Sequence, residues 1–457
     1  MQGQNGERRL APAMNPTDPL FSKLPSEVLL QIVKQVPGLP SFRNIDRASP
    51  TISSLFDEFG TEIVESIIST KLPAQVQSLI RTIVLIQTDL TLTRSLQEFS
   101  TVYLKRDEYC GKHVNGADCV RRFHPSLEDS SKVCEACREA FPPIGISRDT
   151  SPVILRNILD SACQNQNITE GLLQSCLDRS LALTPLQLGQ KFRYIPRPNF
   201  GRCPQRRPIG KRFTPESSDP FSWTERQRTS RQIWRVQLFF YLKLKTRDLH
   251  WPIEDIAHLE SLEIHSFWEL SDKYGRFNEQ LGTVVYYLAN TEHQHGNDTF
   301  DHKATAQALY RISSASSITR TTWDAPSSLD HHILDQVSKA EDLVQEITRP
   351  THCVWGPLRY YDLGHWRNFG FYIWDDARMH SLGFLFRETF QDSETGGIFC
   401  TKSFSKDDMW FRWESVLSQH IIEANERRRL AEFPDGYREF GSKRFETWWS
   451  TGMLLRD

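Results

Sequence analysis

The residues whose types and spacing best suit a chemical role are cysteines and histidines between Cys110 and Cys137. They form three close pairs, Cys110 with His113, Cys119 with His124, and Cys134 with Cys137. A CxxH pair followed by a CxxC pair can supply the four ligands of a tetrahedral zinc ion, two from each tight turn. The middle pair competes for the same four places. Two interpretations therefore stay open: free thiols on a surface segment, which we take as the default, or a structural zinc site of Cys110, His113, Cys134 and Cys137.

Motifs of the common enzyme classes are absent from the sequence. It contains no GxxxxGK[ST] phosphate loop, no GxGxxG, no HExxH, no GxSxG, and no HxE followed by PCxxC. The acidic pairs Asp375-Asp376 and Asp407-Asp408 are adjacent in sequence, so their side chains point in different directions and are expected in water. We therefore expect a chain that is not an enzyme and that uses no cofactor beyond the zinc ion considered above.

The composition of the chain limits its expected partners and cellular location. Hydrophobic residues make up 39% of the 457 residues and the formal net charge is −2, which predicts a globular protein without general attraction to nucleic acid. We find no run of about 18 apolar residues and no secretory signal, so no membrane contact is expected. The nine cysteines are an odd number and favour reduced thiols. Location in the cytoplasm, the nucleus or both follows as an expectation.

Apolar residues recur at three- and four-residue intervals along much of the chain, as they do in helices that bury one face. This periodicity predicts a mainly α fold. We expect a flexible leader over 1–19, a compact module over 20–68, a helical region over 69–194, a Pro/Arg-rich linker or loop over 195–222, and a mostly helical region over 223–457 with irregular aromatic-rich loops. Within the last region, residues 356–386 are dense in Gly and aromatics. Either a short hairpin or a loop that packs aromatic side chains onto helices would fit this segment.

Residues 20–68 carry the most informative pattern. A first helix is expected to begin at Pro25, with one broad apolar stripe of Leu24, Val28, Leu29, Ile32, Val33 and Val36. A second short helix is predicted from a Ser41 cap to Ala48. A third begins at Pro50 and ends at Gly60, and a fourth runs from Thr61 to about Ser69. Helices this short are marginal alone, so the pattern predicts a small module that packs together or on a partner.

The order of these features resembles the F-box of fungal proteins. Two motifs carry the resemblance, Leu24-Pro25-Ser26-Glu27 at the start and Arg47-Ala48-Ser49-Pro50 before the third helix. Many F-boxes carry a Trp near the end of the third helix, where this chain has Phe56 and Phe59. The resemblance covers about 45 residues and leaves the rest of the chain without an assigned role.

The F-box resemblance implies a function. It implies binding to a Skp-type adaptor, which holds a cullin scaffold and a RING protein, so that the chain would link an unknown substrate protein to a ubiquitin ligase. The residues it implies for adaptor contact are Leu24, Pro25, Val28, Leu29 and Ile32. For Val28 and Ile32 we weigh this role evenly against a place in the module's own core. Two rival functions remain, a scaffold that binds the adaptor without delivering substrates and an enzyme of unrecognised type in the C-terminal region.

Overall fold

A computed structural model describes residues 21–88, 93–104, 145–188, 210–217, 219–270, 278–292, 323, 363–385, 408–418, 420–422 and 424. Of these residues, 73% are helical and 2% lie in strands. The predicted mainly α fold is confirmed. Among the helices within these ranges, none combines the length and the apolar character needed to cross a bilayer.

The chain forms two compact units. The described part of the first unit consists of residues 21–72 together with Gly145–Cys163, which we call the return segment. All other described residues belong to the second unit. The first unit is therefore discontinuous in sequence, because the chain leaves it after Leu72 and comes back at Gly145. The 20–68 module expected from the sequence coincides with most of its N-terminal part.

Three helices form the N-terminal part of the first unit: α1 (Ser26–Lys34), α2 (Leu39–Ala48) and α3 (Pro50–Lys71). Pro25 occupies the N-cap position of α1, where its missing N–H costs no helical hydrogen bond. Both α1 and α2 pack on α3. Phe42 of α2 and Phe56 of α3 are fully buried, with ring centroids 5.3 Å apart.

Of two predicted boundaries in this unit, one is wrong and one is confirmed in part. The second helix begins at Leu39 rather than after a Ser41 cap, since Pro40 fits the first turn of a helix. The predicted division between a third and a fourth helix is present as a kink, although the kink lies inside the continuous span Pro50–Lys71 of α3. Its only irregular backbone is at Phe59 (φ −117°, ψ 17°), where the helix bends. Gly60 is buried inside the helix and does not take the left-handed conformation of a helix end.

Helix α6 (Pro152–Leu181) belongs to both units, with the division after Cys163. The second unit further contains α4 (Ala74–Thr88), α5 (Leu96–Phe99) with a π-helical turn at Ser100–Leu104, α7 (Trp223–Leu244), α8 (Ile253–Ser261), α9 (Ile264–Glu269), α10 (Asn278–Glu292) and α11 (Asp376–Ser381). Two 3-10 helices span Thr246–Asp248 and Leu363–Phe369, and residues 408–415 are helical. Strands β1 (Leu186–Gln187) and β2 (Lys211–Arg212) pair antiparallel. Strand β2 lies within residues 195–222, the segment expected as a linker or loop, and it pairs with β1.

Helix α7 is the central element of the second unit. It packs against α4, α9 and α10, and most of its residues are buried, including polar ones. A capping box begins it, in which Ser222 Oγ accepts from the Glu225 N–H and the Glu225 carboxylate accepts from the Ser222 N–H. Trp234 and Phe239 of α7 are core residues.

The described part of the aromatic-rich segment, residues 363–385, is a 3-10 helix, a turn and α11, and it forms no hairpin. Trp366, Phe371, Tyr372 and Trp374 are fully buried. Gly370 takes a positive φ of 70° where a Cβ would stand 2.8 Å from the Trp374 ring, so glycine is required there. The loop alternative, which packs aromatics into the core, is the one observed.

One expectation about acidic residues is wrong. Asp408 does not lie in water, because its carboxylate accepts from Arg412 Nε at 3.0 Å and from the Leu188 N–H, and the residue is buried. Burial lowers the pKa of Arg412, although the Asp408 charge acts in the opposite direction. Asp375 instead caps α11 by accepting from the Arg378 N–H.

Candidate docking surface

The five residues implied for adaptor contact divide into two groups in the structure. Leu24, Val28 and Ile32 are 39%, 44% and 45% exposed, and Pro25 is exposed as well. Leu29 is 2% exposed and lies in the core of the first unit. The apolar stripe expected on one face of the first helix is therefore two stripes, one turned to the core and one turned to solvent.

Helical geometry explains the division. Leu24, Val28 and Ile32 are four residues apart, so they follow one another along a single line of α1 and the turn before it. Leu29, Val33 and Val36 follow a neighbouring line and are buried. We call the exposed line of Leu24, Val28 and Ile32 the α1 stripe. Exposed apolar residues that occur singly are normal, whereas three in register on one short helix are typical of a binding surface.

The charged side chains of α1 lie at its two ends. Glu27 is in the first turn and Lys34 in the last, which suits the helix dipole at both ends. Lys34 forms an ion pair with Glu62 of α3 and so holds the end of α1 to α3. The stripe itself carries no charge, and burial of one of these half-exposed side chains by a partner would contribute roughly 1 kcal/mol.

The Arg47-Ala48-Ser49-Pro50 motif forms the corner between α2 and α3. Ser49 is in extended conformation (φ −125°, ψ 112°) and its side chain accepts from the Ile52 N–H at 3.2 Å, which caps α3. Pro50 takes the first helical position of α3, and it keeps Ser49 out of helical conformation. The motif thus acts locally as a helix stop followed at once by a helix start.

An ion network joins this corner to the return segment. Arg43 of α2 donates to both carboxylate oxygens of Asp160, at 2.7 and 2.8 Å, and also pairs with Asp46. Arg47 donates to Asp160 at 2.6 Å. Burial alone would lower the pKa of Arg43, but its hydrogen bonds to Asp160 and Asp46 outweigh this and the pKa is raised. Arg43 therefore stays protonated at any physiological pH.

Arg156 of the return segment reaches the same region from α6. Its Nη1 donates to Asp57 at 2.7 Å, its Nη2 donates to Ser53, and its guanidinium lies 5.1 Å from the centre of the Phe56 ring. Its Nε is 3.7 Å from Asp46 Oδ2. Arg156 thus contacts α3 along one face and is the second cation beside the buried Asp46.

Further polar contacts join the return segment to α2 and α3. Thr61 Oγ1 donates to the Ser147 carbonyl, and the Ile146 N–H donates to Glu65. The Cys163 thiol lies 4.0 Å from the Pro40 carbonyl, and burial raises its pKa to about 11. Cys163 is therefore a protonated thiol at neutral pH.

Arg156 and Asp160 were not identified from the sequence. They are four residues apart on α6 and so share a face of that helix, a spacing that the sequence displays. Their partners are about a hundred residues away in the chain, and nothing in the local pattern connects them. A charged i,i+4 pair is ordinarily a solvated pair, and only the return of the chain brings it to α2 and α3.

The zinc candidates Cys110, His113, Cys134 and Cys137 lie outside the described residues. Within the ranges that the structure does describe, no three His, Cys, Asp or Glu side chains converge as metal ligands would. The zinc site stays a prediction, which elemental analysis of the purified protein and its Cys134→Ser variant would test.

The chain was compared with known proteins in three ways. No family model matches it, no curated protein matches it, and no solved structure matches it.

Proposed function

We propose that this chain is an F-box subunit that links a substrate protein to a Skp-cullin-RING ubiquitin ligase. The observation that carries the proposal is the α1 stripe, an uncharged line of three exposed apolar residues that begins at the Leu-Pro-x-Glu motif. A Skp-type adaptor that covers Leu24, Val28 and Ile32 would remove this apolar surface from water. The ligase chemistry would reside in the RING partner, and the chain itself would catalyse nothing.

The helical corner at the Arg47-Ala48-Ser49-Pro50 motif supports the same proposal. The motif that contributes to the F-box resemblance is also the one that caps α3 and positions it against α2. Because α1 packs on α3, this corner contributes to the support under the stripe. The two motifs therefore belong to one structural unit, as a docking module requires.

Binding of a purified Skp-type adaptor tests the proposal. The double variant Val28→Asp with Ile32→Asp places two charges in the stripe and should abolish adaptor binding in calorimetry, because burying unpaired carboxylates in an apolar interface is costly. Ile253→Asp is the matched control, since Ile253 is 81% exposed at the start of α8 and lies outside the first unit. Circular dichroism should be unchanged in both variants.

Each result has a distinct meaning. Undiminished adaptor binding by the double variant would show that the stripe is not the contact surface. A wild-type chain that does not bind the adaptor at all would overturn the proposed function. If the adaptor binds but no protein changes its half-life when the double variant replaces the wild-type chain in cells, the chain acts as a scaffold instead of a receptor.

A further inference from the structure

The return segment contacts α2 and α3, and α1, which carries the stripe, packs on α3. Its partners on α3 include Ser53, Asp57, Gly60 and Thr61. Ser53 and Asp57 are four residues apart, and Gly60 and Thr61 follow Asp57 by three and four residues, so all of them lie along one side of the helix. Glu62, which holds α1 through Lys34, lies just beyond them on the same helix. Helix α3 is therefore held by the return segment at positions next to those that support α1.

The bend in α3 lies beside a packing contact with the return segment. A Cβ on Gly60 would stand 3.1 Å from Leu155 Cδ1 and 3.3 Å from Phe56 Cζ, so the absence of a side chain permits this approach. Leu155 itself is buried. Phe59, the residue with non-helical backbone, directly precedes this contact. The packing of Leu155 at Gly60 is thus the local feature that accompanies the bend.

The buried carboxylate of Asp46 also depends on the return segment, which supplies one of the two cations beside it. The Asp46 side chain is 2% exposed, and the cations beside it are Arg43 from its own helix and Arg156 from the return segment. Within the described part of the chain, the network comprises three arginines and three aspartates: Arg43, Arg47, Arg156, Asp46, Asp57 and Asp160. Without the return segment, Asp46 keeps one cation, while Arg43 and Arg47 lose Asp160. A buried carboxylate with reduced compensation destabilises the structure around it.

We propose that the return segment is an intramolecular strap that fixes the bend of α3 and the corner between α2 and α3, and so controls how α1 presents its stripe. Arg156 and Asp160 are positioning residues in this device, since neither belongs to the stripe. The effect on adaptor binding rests on the proposed function. The effect on the order of α2 and α3 is independent of it.

Hydrogen exchange of the full chain, followed by mass spectrometry, tests the strap directly. In Arg156→Gln, amides of Leu39–Ala48 and Pro50–Lys71 should exchange about tenfold faster. The variant has already lost the contacts to Asp46 and Asp57, so local opening of these helices costs less free energy. Exchange in Trp223–Leu244 should not change. Arg156→Lys keeps the charge without the forked geometry and should restore part of the protection.

Arg148→Gln is the matched control, because Arg148 is an exposed residue of the same segment and its loss changes the charge equally. If Arg156→Gln does not fold, Asp160→Asn is the milder variant, since Asp160 is partly exposed and the change removes only its charge. Unchanged exchange in α2 and α3, or an equal increase throughout the chain, would overturn the strap.

A measurement of adaptor binding by the same variants separates the two proposals. Where the wild-type chain binds a Skp-type adaptor, Arg156→Gln should weaken binding about fivefold although the stripe is intact, and Arg148→Gln should not. Equal affinity of Arg156→Gln and wild type would refute the control of the stripe by the strap. A wild-type chain without adaptor affinity refutes the proposed function alone, and the exchange measurement still decides the strap.

Discussion

Glu225 and Arg378 form an almost fully buried ion pair at the start of α7. Arg378 donates to both carboxylate oxygens of Glu225, at 2.8 and 3.1 Å, and its guanidinium lies over the rings of Phe221 and Trp374. Burial raises the pKa of Glu225, and the hydrogen bonds from Arg378 only partly oppose this. The arginine is therefore what allows Glu225 to stay charged in the core.

Arg378→Met should destabilise the protein by about 3–5 kcal/mol at neutral pH, because it leaves a buried carboxylate without its partner. Loss of the partner raises the folded-state pKa of Glu225 further above its unfolded value. Stability from such a group is present below the unfolded pKa and lost as pH rises through the folded pKa, so the loss should be larger at about pH 8 than at about pH 5. Urea unfolding at both pH values measures it.

The double variant Arg378→Met with Glu225→Gln provides the control, since it removes both charges. It should lose the additional pH dependence and recover part of the stability. A loss of stability that is the same at both pH values in the single variant would show that Glu225 does not become an unpaired charge.

At the scale of elements, α1 shows how one helix can serve both a core and a surface. Leu29 packs inward, while Val28, its neighbour in sequence, is nearly half exposed. Both were predicted as adaptor contacts. A helix rotates by about 100° per residue, so adjacent residues belong to different faces. Leu29 supports the stripe from below and does not form part of it.

Leu29→Ala should lower the free energy of unfolding by about 2–5 kcal/mol, because it leaves a cavity under α1. Val28→Ala should remain within about 0.5 kcal/mol of wild type, since its site is open to solvent and Ala favours helix. Chemical denaturation measures both. Equal losses of stability in the two variants would contradict the division of α1 into an inner and an outer face.

At the scale of the whole molecule, the first unit cannot be removed by cutting out one stretch of sequence. Residues 20–68 contain most of its helices, but Leu155, Arg156 and Asp160 of the return segment have their partners there. Deletion of 20–68 would leave these residues without them. The unit is a poor candidate for an autonomous module despite its short, well-bounded motif.

We therefore expect the chain without 20–68 to be less stable than full-length protein carrying Val28→Asp and Ile32→Asp. Loss of the partners of Leu155 and Arg156 exposes apolar surface, which an apolar dye would detect, whereas the double variant should behave as wild type. Thermal unfolding compares the two proteins. A deletion variant as stable as wild type would show that the return segment folds without the N-terminal helices. For turnover measurements in cells, the double variant is therefore the appropriate test of the proposed link to a ligase.

The sequence by itself determined the mainly helical character of the described residues, the start of α1 directly after Pro25, and the stop and restart at Ser49-Pro50. These features are local, since proline geometry and helical periodicity act within a few residues. At Gly60 the same local rules were right only in part, since α3 has its kink one residue earlier, at Phe59, and Gly60 does not take a left-handed conformation. The glycine is explained by the side chain of Leu155, far away in the chain, that packs on it.

Only the tertiary structure decided which apolar residues of α1 are exposed and which charges meet. Periodicity places Leu29 and Val28 on one broad stripe, and burial separates them only once α3 is in place. Asp46 and Asp160 look like ordinary surface acids in the sequence, yet one is buried and the other binds two arginines of α2. Such contacts depend on how the chain returns to the unit, and local sequence carries no information about that return.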